Sequence, residues 1–268
     1  VIRLPEKALP EAVGRQLERW QAEVDALGSH AEQVAAAKKR FHQRNTPRNR
    51  TFVAVRRHLL KLCSGAMRCG YCEDSAADAV EHIWPKDLYP EWVFAWRNYL
   101  YACRPCNGPK SNRFAVFPPR GRKVLEVGRT HRLLGKRPPP GESVFIDPRS
   151  EDPMELLDLD LRGTFHFVPR APKGTRGYAR ADYTLNVLRL NREVLVEARK
   201  DAFASYRARL VEYVWLRVRR APAKALRLRV HAIQRAPHPT VWREMQRSWR
   251  DVEELQKLFR KAPEALEW

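Results

Sequence analysis

The chain has 268 residues, 44% of them hydrophobic, enough for one large core or two modest ones, and a formal charge of +20. No stretch approaches the roughly 18 uncharged apolar residues that span a membrane, and no apolar run follows the first residues, so a membrane protein and a secretory leader are not expected. Four of the five cysteines fall into two C-x-x-C pairs; with no secretion signal, this favours a metal site in a reducing, cytoplasmic compartment over disulfides, and leaves Cys63 as a small buried hydrophobe.

Residues 6–40 read as helical, with Leu9, Val13, Leu17, Trp20, Val24 and Leu27 recurring every three or four positions and an interruption near Gly28. Asn45, Thr46 and Pro47 break the pattern, and a second helix over about 48–62 carries Phe52, Val55, Leu59 and Leu62 on one face, which completes a helical N-terminal region, 1–62. The cysteine module occupies 63–117. From 118 to 141 the chain is rich in proline, glycine and arginine, as in a linker or an extended surface segment. Strand signals at 143–147 and 164–168, split by Asp147-Pro148 and Arg162-Gly163, predict a small sheet within 118–180.

Asn191 reads as the N-cap of a long amphipathic helix that runs to about Arg219 through Leu195, Ala198, Phe203, Tyr206, Leu210 and Val214 and is stopped before Pro222. A last helical pattern spans about 240–260, within a basic C-terminal region, 181–268. The expected fold class is α+β, rich in α, with a zinc-braced module embedded between helical N- and C-terminal regions.

The charge is clustered. Between Gln33 and Cys72 there is no acidic residue, while Lys38, Lys39, Arg40, Arg44, Arg48, Arg50, Arg56, Arg57, Lys61 and Arg68 add ten positive charges. A second cluster runs from Arg104 to Arg137, and a third, from Arg207 to Arg235, sets nine basic residues against Glu212 alone. Any one cluster can be a solvated face; three around one candidate site point to nucleic acid.

Cys69-Gly70-Tyr71-Cys72 and Cys103-Arg104-Pro105-Cys106 are 30 residues apart. Four thiolates give a closed tetrahedral site with no open position, so the zinc would be structural; a thioredoxin-like redox pair is the weaker alternative. Between and just after the pairs stand Glu81-His82-Ile83-Trp84-Pro85, Asn98, Asn107 and Lys110. Hydrolysis of a phosphodiester needs a metal to neutralise charge and a base to activate water. A carboxylate and an amide oxygen, Glu81 and Asn107, suit a hard cation such as Mg2+ or Mn2+. His82 has the side chain best matched to take a proton near neutral pH. On a strand Glu81 and His82 point to opposite faces, so their convergence requires a bend.

The order C-x-x-C, E-H-I-x-P, N, C-x-x-C-N-x-x-K resembles the HNH endonuclease family, whose ββα-metal fold is a hairpin followed by a helix around one divalent ion. The resemblance implies Glu81 and Asn107 as ligands of the catalytic metal, His82 as base, Asn98 as the residue that ties the loop, and Lys110 on the helix near the phosphate. Arg104 and Arg113, from the second cluster, join Lys110 as candidates for binding nucleic acid. Glu81 stands where Asp is commoner and Asn107 where the name-giving pattern has His. The wider string, with Phe145-Ile146-Asp147-Pro148-Arg149, Gly163 and Leu188-Arg189-Leu190-Asn191, looks like the HNH nuclease subunits associated with Septu and retron anti-phage systems. That likeness implies a bacterial defence nuclease acting on DNA beside an ABC/SMC-like ATPase subunit.

The other histidines, His30, His42, His58, His131, His166, His231 and His238, have no ligand-spaced neighbours and are assigned no role. Trp84, Trp92, Trp96, Tyr99 and Tyr101 can stack on unpaired bases, but packing a small core is the more ordinary use of such a cluster. Two rival readings remain at this level: a zinc-braced module that binds nucleic acid without cutting it, and a basic subunit that binds an acidic protein.

Overall fold

A computed structural model describes residues 2–63, 67–120, 123–128 and 136–268. His131 and the basic residues Arg122, Arg129 and Arg132 of the second cluster lie outside the described residues.

Three helices open the chain: α1 (Glu11–Asp25), α2 (His30–Arg44) and α3 (Arg50–Leu60). The first starts behind Pro10, five residues later than its apolar pattern suggests, because proline fits a helix entrance and not its interior. The break near Gly28 is made by Ser29, whose hydroxyl accepts from Glu32 N at 3.3 Å while the Glu32 carboxylate accepts from Ser29 N at 2.9 Å, a reciprocal cap that starts α2. Asn49 caps α3 by accepting from Phe52 N at 3.1 Å.

Strands β1 (Ala79–His82) and β2 (Tyr99–Ala102) form an antiparallel hairpin in which Glu81 faces Leu100 and His82 faces Tyr99, and α4 (Arg104–Lys110) follows directly. Alternation along the strands makes this hairpin a wall between two cores. Val80, Tyr99 and Tyr101 pack with Phe41, Phe52, Val55 and Leu59 of the N-terminal helices. Leu100 and Ala102 belong to the larger core with the four paired cysteines, Phe114, Phe145 and the C-terminal helices.

The β segments depart from expectation. β3 (Ala115–Phe117) is the centre of a three-stranded antiparallel sheet between β4 (Leu125–Glu126) and β5 (Glu142–Ser143). The Pro/Gly/Arg-rich stretch therefore supplies a strand, and the first expected strand signal pairs with the cysteine module. The second, at β7 (Phe167–Pro169), pairs with β6 (Leu157–Leu159), so the two signals sit in different sheets.

The C-terminal half holds α5 (Arg176–Leu188), α6 (Glu193–Val218), α7 (Ala223–Gln234), α8 (Pro239–Arg247) and α9 (Glu253–Lys261). Helix α5 was not anticipated, and the last helical pattern is two helices parted by a 3-10 turn at Trp249–Asp251. Asn191 is not the cap of α6. Its amide donates to Phe167 O and accepts from Phe167 N, both at 2.8 Å, and so clips β7 to the start of α6. Arg199, buried, donates to Phe165 O at 2.8 Å and to Leu190 O, and stacks over the Phe167 ring at 4.3 Å. No helix among the described residues is long and apolar enough to cross a membrane.

Candidate metal centre and adjoining cleft

Cys69 and Cys72 lie in a turn closed by Cys69 N donating to Ser75 O at 2.9 Å and by the Arg68–Ala76 bridge. Cys103 caps α4 and Cys106 sits in its first turn, its N–H donating to Cys103 O at 3.1 Å. Gly70 allows the turn to approach β2, since a Cβ there would meet Leu100 at 3.0 Å. All four thiols are free of disulfides and buried, and their sulfurs lie within 4.8 Å of one another, Cys72 and Cys103 at 3.7 Å. Zinc–sulfur bonds of about 2.3 Å in a tetrahedron place sulfurs roughly 3.8 Å apart, so the cluster fits zinc. Contacts among the thiols pull the proton affinity of Cys72 and Cys103 down and push that of Cys69 and Cys106 up, as expected of a buried group that needs a cation to ionise fully. Arg192, at the start of α6, holds its guanidinium nitrogens 3.8 and 3.9 Å from Cys106 Sγ and ties the C-terminal helices to the cluster.

Beside the cluster is a cleft of about 540 Å³, lined by Phe41, Glu81, His82, Lys86, Asp87, Arg104, Asn107 and Asn112 among others. Glu81 and His82 both reach it from opposite faces of β1, and the bend begins immediately after, at Ile83. His82 is buried against Phe41, with ring centroids 4.5 Å apart, and against Tyr99 at 5.2 Å. Its Nε2 lies 2.9 Å from Val93 O, which also accepts from Tyr99 Oη at 2.7 Å. A carbonyl only accepts, so Nε2 carries the proton and Nδ1 of the neutral ring keeps its lone pair. Burial, reinforced by the nearby Lys86 charge, pushes this imidazole down to about 3.

Glu81 Oε1 accepts from Lys110 Nζ at 2.6 Å, and the same ammonium donates to His82 O at 2.8 Å. Lys110 is fully buried beneath the Phe145 ring and is not among the residues that line the cleft. The expectation that it touches a phosphate is therefore corrected: its charge is taken up inside the fold. Arg104 is exposed at the cleft, whereas Arg113 lines a separate cavity of about 770 Å³ and lies 3.7 Å from Glu126. Asn107, half-buried on α4, lines the cleft with Glu81. Asn98 lies outside it, accepting from Trp84 N at 2.7 Å and donating to Trp84 O at 3.0 Å and Trp92 O at 2.9 Å, which pins both ends of the loop between the strands.

Sequence reasoning passed over Phe41, Lys86, Asp87 and Asn112, and read Lys38 only as a member of the first basic cluster. Burial alone would raise Asp87, but Lys86 and hydrogen bonds from Asn112, Lys86 and Lys38 outweigh it and hold the carboxyl below its ordinary value. Lys38 Nζ lies 3.2 Å from Asp87, which joins α2 to the cleft. The apolar face of α2 gave the signal for Phe41; Asp87 had none, since nothing local marks its partners.

The aromatic residues mostly pack. Tyr99 and Tyr101 are buried, Trp84 meets Phe114 at 4.6 Å, and Trp96 lies under Arg149 at 4.6 Å, which leaves Trp92 exposed. Cys63 is half-buried, not buried, and its surroundings raise the thiol to about 11.

No family model matches the chain, and no solved structure matches it. Over 48 residues it is 48% identical to Septu protein PtuB from Bacillus thuringiensis, a stretch covering 16% of this chain and 19% of that protein.

Proposed function

We propose that the chain is a metal-dependent HNH-type endonuclease that hydrolyses phosphodiester bonds in DNA, as the nuclease of an anti-phage defence system acting with an ABC/SMC-like ATPase subunit. The observation that carries the chemistry is His82: a neutral imidazole, fixed through Nε2 on Val93 O, keeps a free Nδ1 lone pair in a residue that lines the same cleft as Glu81 and Asn107. The defence setting rests on the partial likeness to the Septu protein.

In this reading His82 takes a proton from water at Nδ1, and the Val93 carbonyl steadies the ring as it becomes charged. It does so as a weaker base than the near-neutral one expected from its residue type, since burial holds it at about 3. Glu81 and Asn107 offer hard oxygen donors that fit Mg2+ or Mn2+, with Lys110 fixing one Glu81 oxygen; a divalent cation there supplies charge neutralisation at the phosphate and the leaving oxygen. Arg104, exposed and lining the cleft, would meet the phosphate backbone. Zinc on the four cysteines would hold the hairpin and α4 in register, with no part in the reaction.

End analysis of the product tests the reading: 5′-phosphate and 3′-hydroxyl ends are expected, made only with Mg2+ or Mn2+, and 3′-phosphate ends would contradict it. One observation favours a binding module without catalysis: the 2.6 Å pair with Lys110 gives Glu81 a structural partner of its own. Such a module would bind DNA unchanged after His82→Ala and would not cut it, whichever metal is supplied.

A further inference from the structure

The outer face of α6 carries an apolar stripe that the fold does not use. Val211, Trp215 and Val218 recur at the spacing of one helical face and are 48%, 51% and 70% exposed, and Leu228 on the adjoining α7 is 56% exposed. Over about two turns, roughly 10 Å, the helix thus offers side chains with no donor or acceptor except the indole. Exposed apolar residues are ordinary when scattered and informative when contiguous.

The charges beside the stripe are only partly spent. Arg207, Arg217 and Arg229 are paired with Glu254, Glu264 and Glu212. Around the turn between α6 and α7, by contrast, Arg219, Arg220, Lys224 and Arg227 form no ion pair among the described residues. The Arg219 guanidinium lies over the Trp215 ring at 4.1 Å, so the apolar stripe and the cationic turn are one surface.

We infer that this face docks another protein chain, one presenting an apolar strip bordered by Asp and Glu. A second copy of this chain brings the same positive charge to the contact and is repelled. Nucleic acid would satisfy the cations but leave Val211, Val218 and Leu228 uncovered, whereas an acidic, apolar-centred protein surface satisfies both. Tryptophan and arginine together at the centre of such a patch are the residues that carry interface energy. The inference is independent of the chemistry of the cleft.

The test is photocrosslinking in native cells by the full chain with benzoylphenylalanine in place of Val211, and with the same probe at exposed Val53 on α3 as control. The expected result is one protein adduct at 211 and not at 53, mapped to a peptide with apolar residues bordered by Asp and Glu. Its yield should fall at least about tenfold in Trp215→Glu, in Val218→Glu and in Arg219→Glu/Arg220→Glu. These side chains are exposed, so melting temperature and zinc content should not move. An adduct to nucleic acid, lipid or a second copy, a peptide without acidic residues, a yield indifferent to the substitutions, or no adduct above the control would each overturn the inference.

Discussion

Lys110 Nζ lies 2.6 Å from Glu81 Oε1 and 2.8 Å from His82 O, so one fully buried ammonium ties α4 to the strand that carries both proposed catalytic side chains. Its removal leaves a carboxylate buried without its partner. Lys110→Met is expected to cost about 3–5 kcal/mol of stability, measured by denaturant unfolding, and Lys110→Met/Glu81→Leu to recover part of that loss. If Lys110→Met is neutral, the pair contributes nothing to the fold.

Zinc should be present at one ion per chain and should survive His82→Ala, because the four cysteines are separate from the imidazole. Cys106→Ala is expected to release it and to loosen the larger core, whose members include all four thiols and the helices that Arg192 joins to them. Metal analysis together with a thermal melt checks both points. An unchanged melt after zinc loss would remove the metal from the account of the fold.

The His82 imidazole should stay neutral, protonated at Nε2, from pH 8 down to pH 5. Its folded value of about 3 lies below the ordinary 6.5 of an unfolded chain, so the unfolded state binds the proton first. The stability this contributes is fully present above about pH 6.5 and is lost as the pH falls towards 3. Nitrogen-15 spectra of the ring read both the charge and the tautomer; an imidazolium at pH 6 would contradict the burial and the Val93 hydrogen bond.

DNA binding should weaken steeply with salt. If six to ten phosphates are contacted, affinity should fall by about 10³–10⁵ between 50 and 200 mM, and Arg104→Ala should lower the slope of log affinity against log salt by about one. Lys110 should have no such effect on the slope, since its charge is internal. A flat salt response would contradict the nucleic-acid reading of the cleft.

Local patterns made some of this legible and not the rest. The breaks at Gly28 and at Asn45 to Pro47 marked α1 to α3 because caps and prolines act on their own neighbours. The order of cysteines, Glu81-His82 and Asn107 pointed to the cysteine cluster and to the cleft beside it, because ligand chemistry is tied to residue type. Lys110 was expected on the helix near the phosphate; it does lie in α4, but the tertiary partner Glu81, 29 residues away, draws the ammonium inside. Asn191 looks like a cap on local grounds, yet it clips Phe167, 24 residues away. β6 escaped notice because Leu157 and Leu159 alternate with acids in a short run whose pairing with β7 is decided across a turn.

The most direct measurement is cleavage of plasmid and single-stranded DNA by the zinc-loaded wild type and by His82→Ala, with Mg2+, with Mn2+ and with chelator, each alone and with any co-purifying ATPase. The account predicts metal-dependent cutting by the wild type and a loss of about 10²–10⁴ in rate for His82→Ala, with zinc and binding retained. Cutting that is undiminished in His82→Ala, or no cutting by the wild type under any of these conditions, would contradict it.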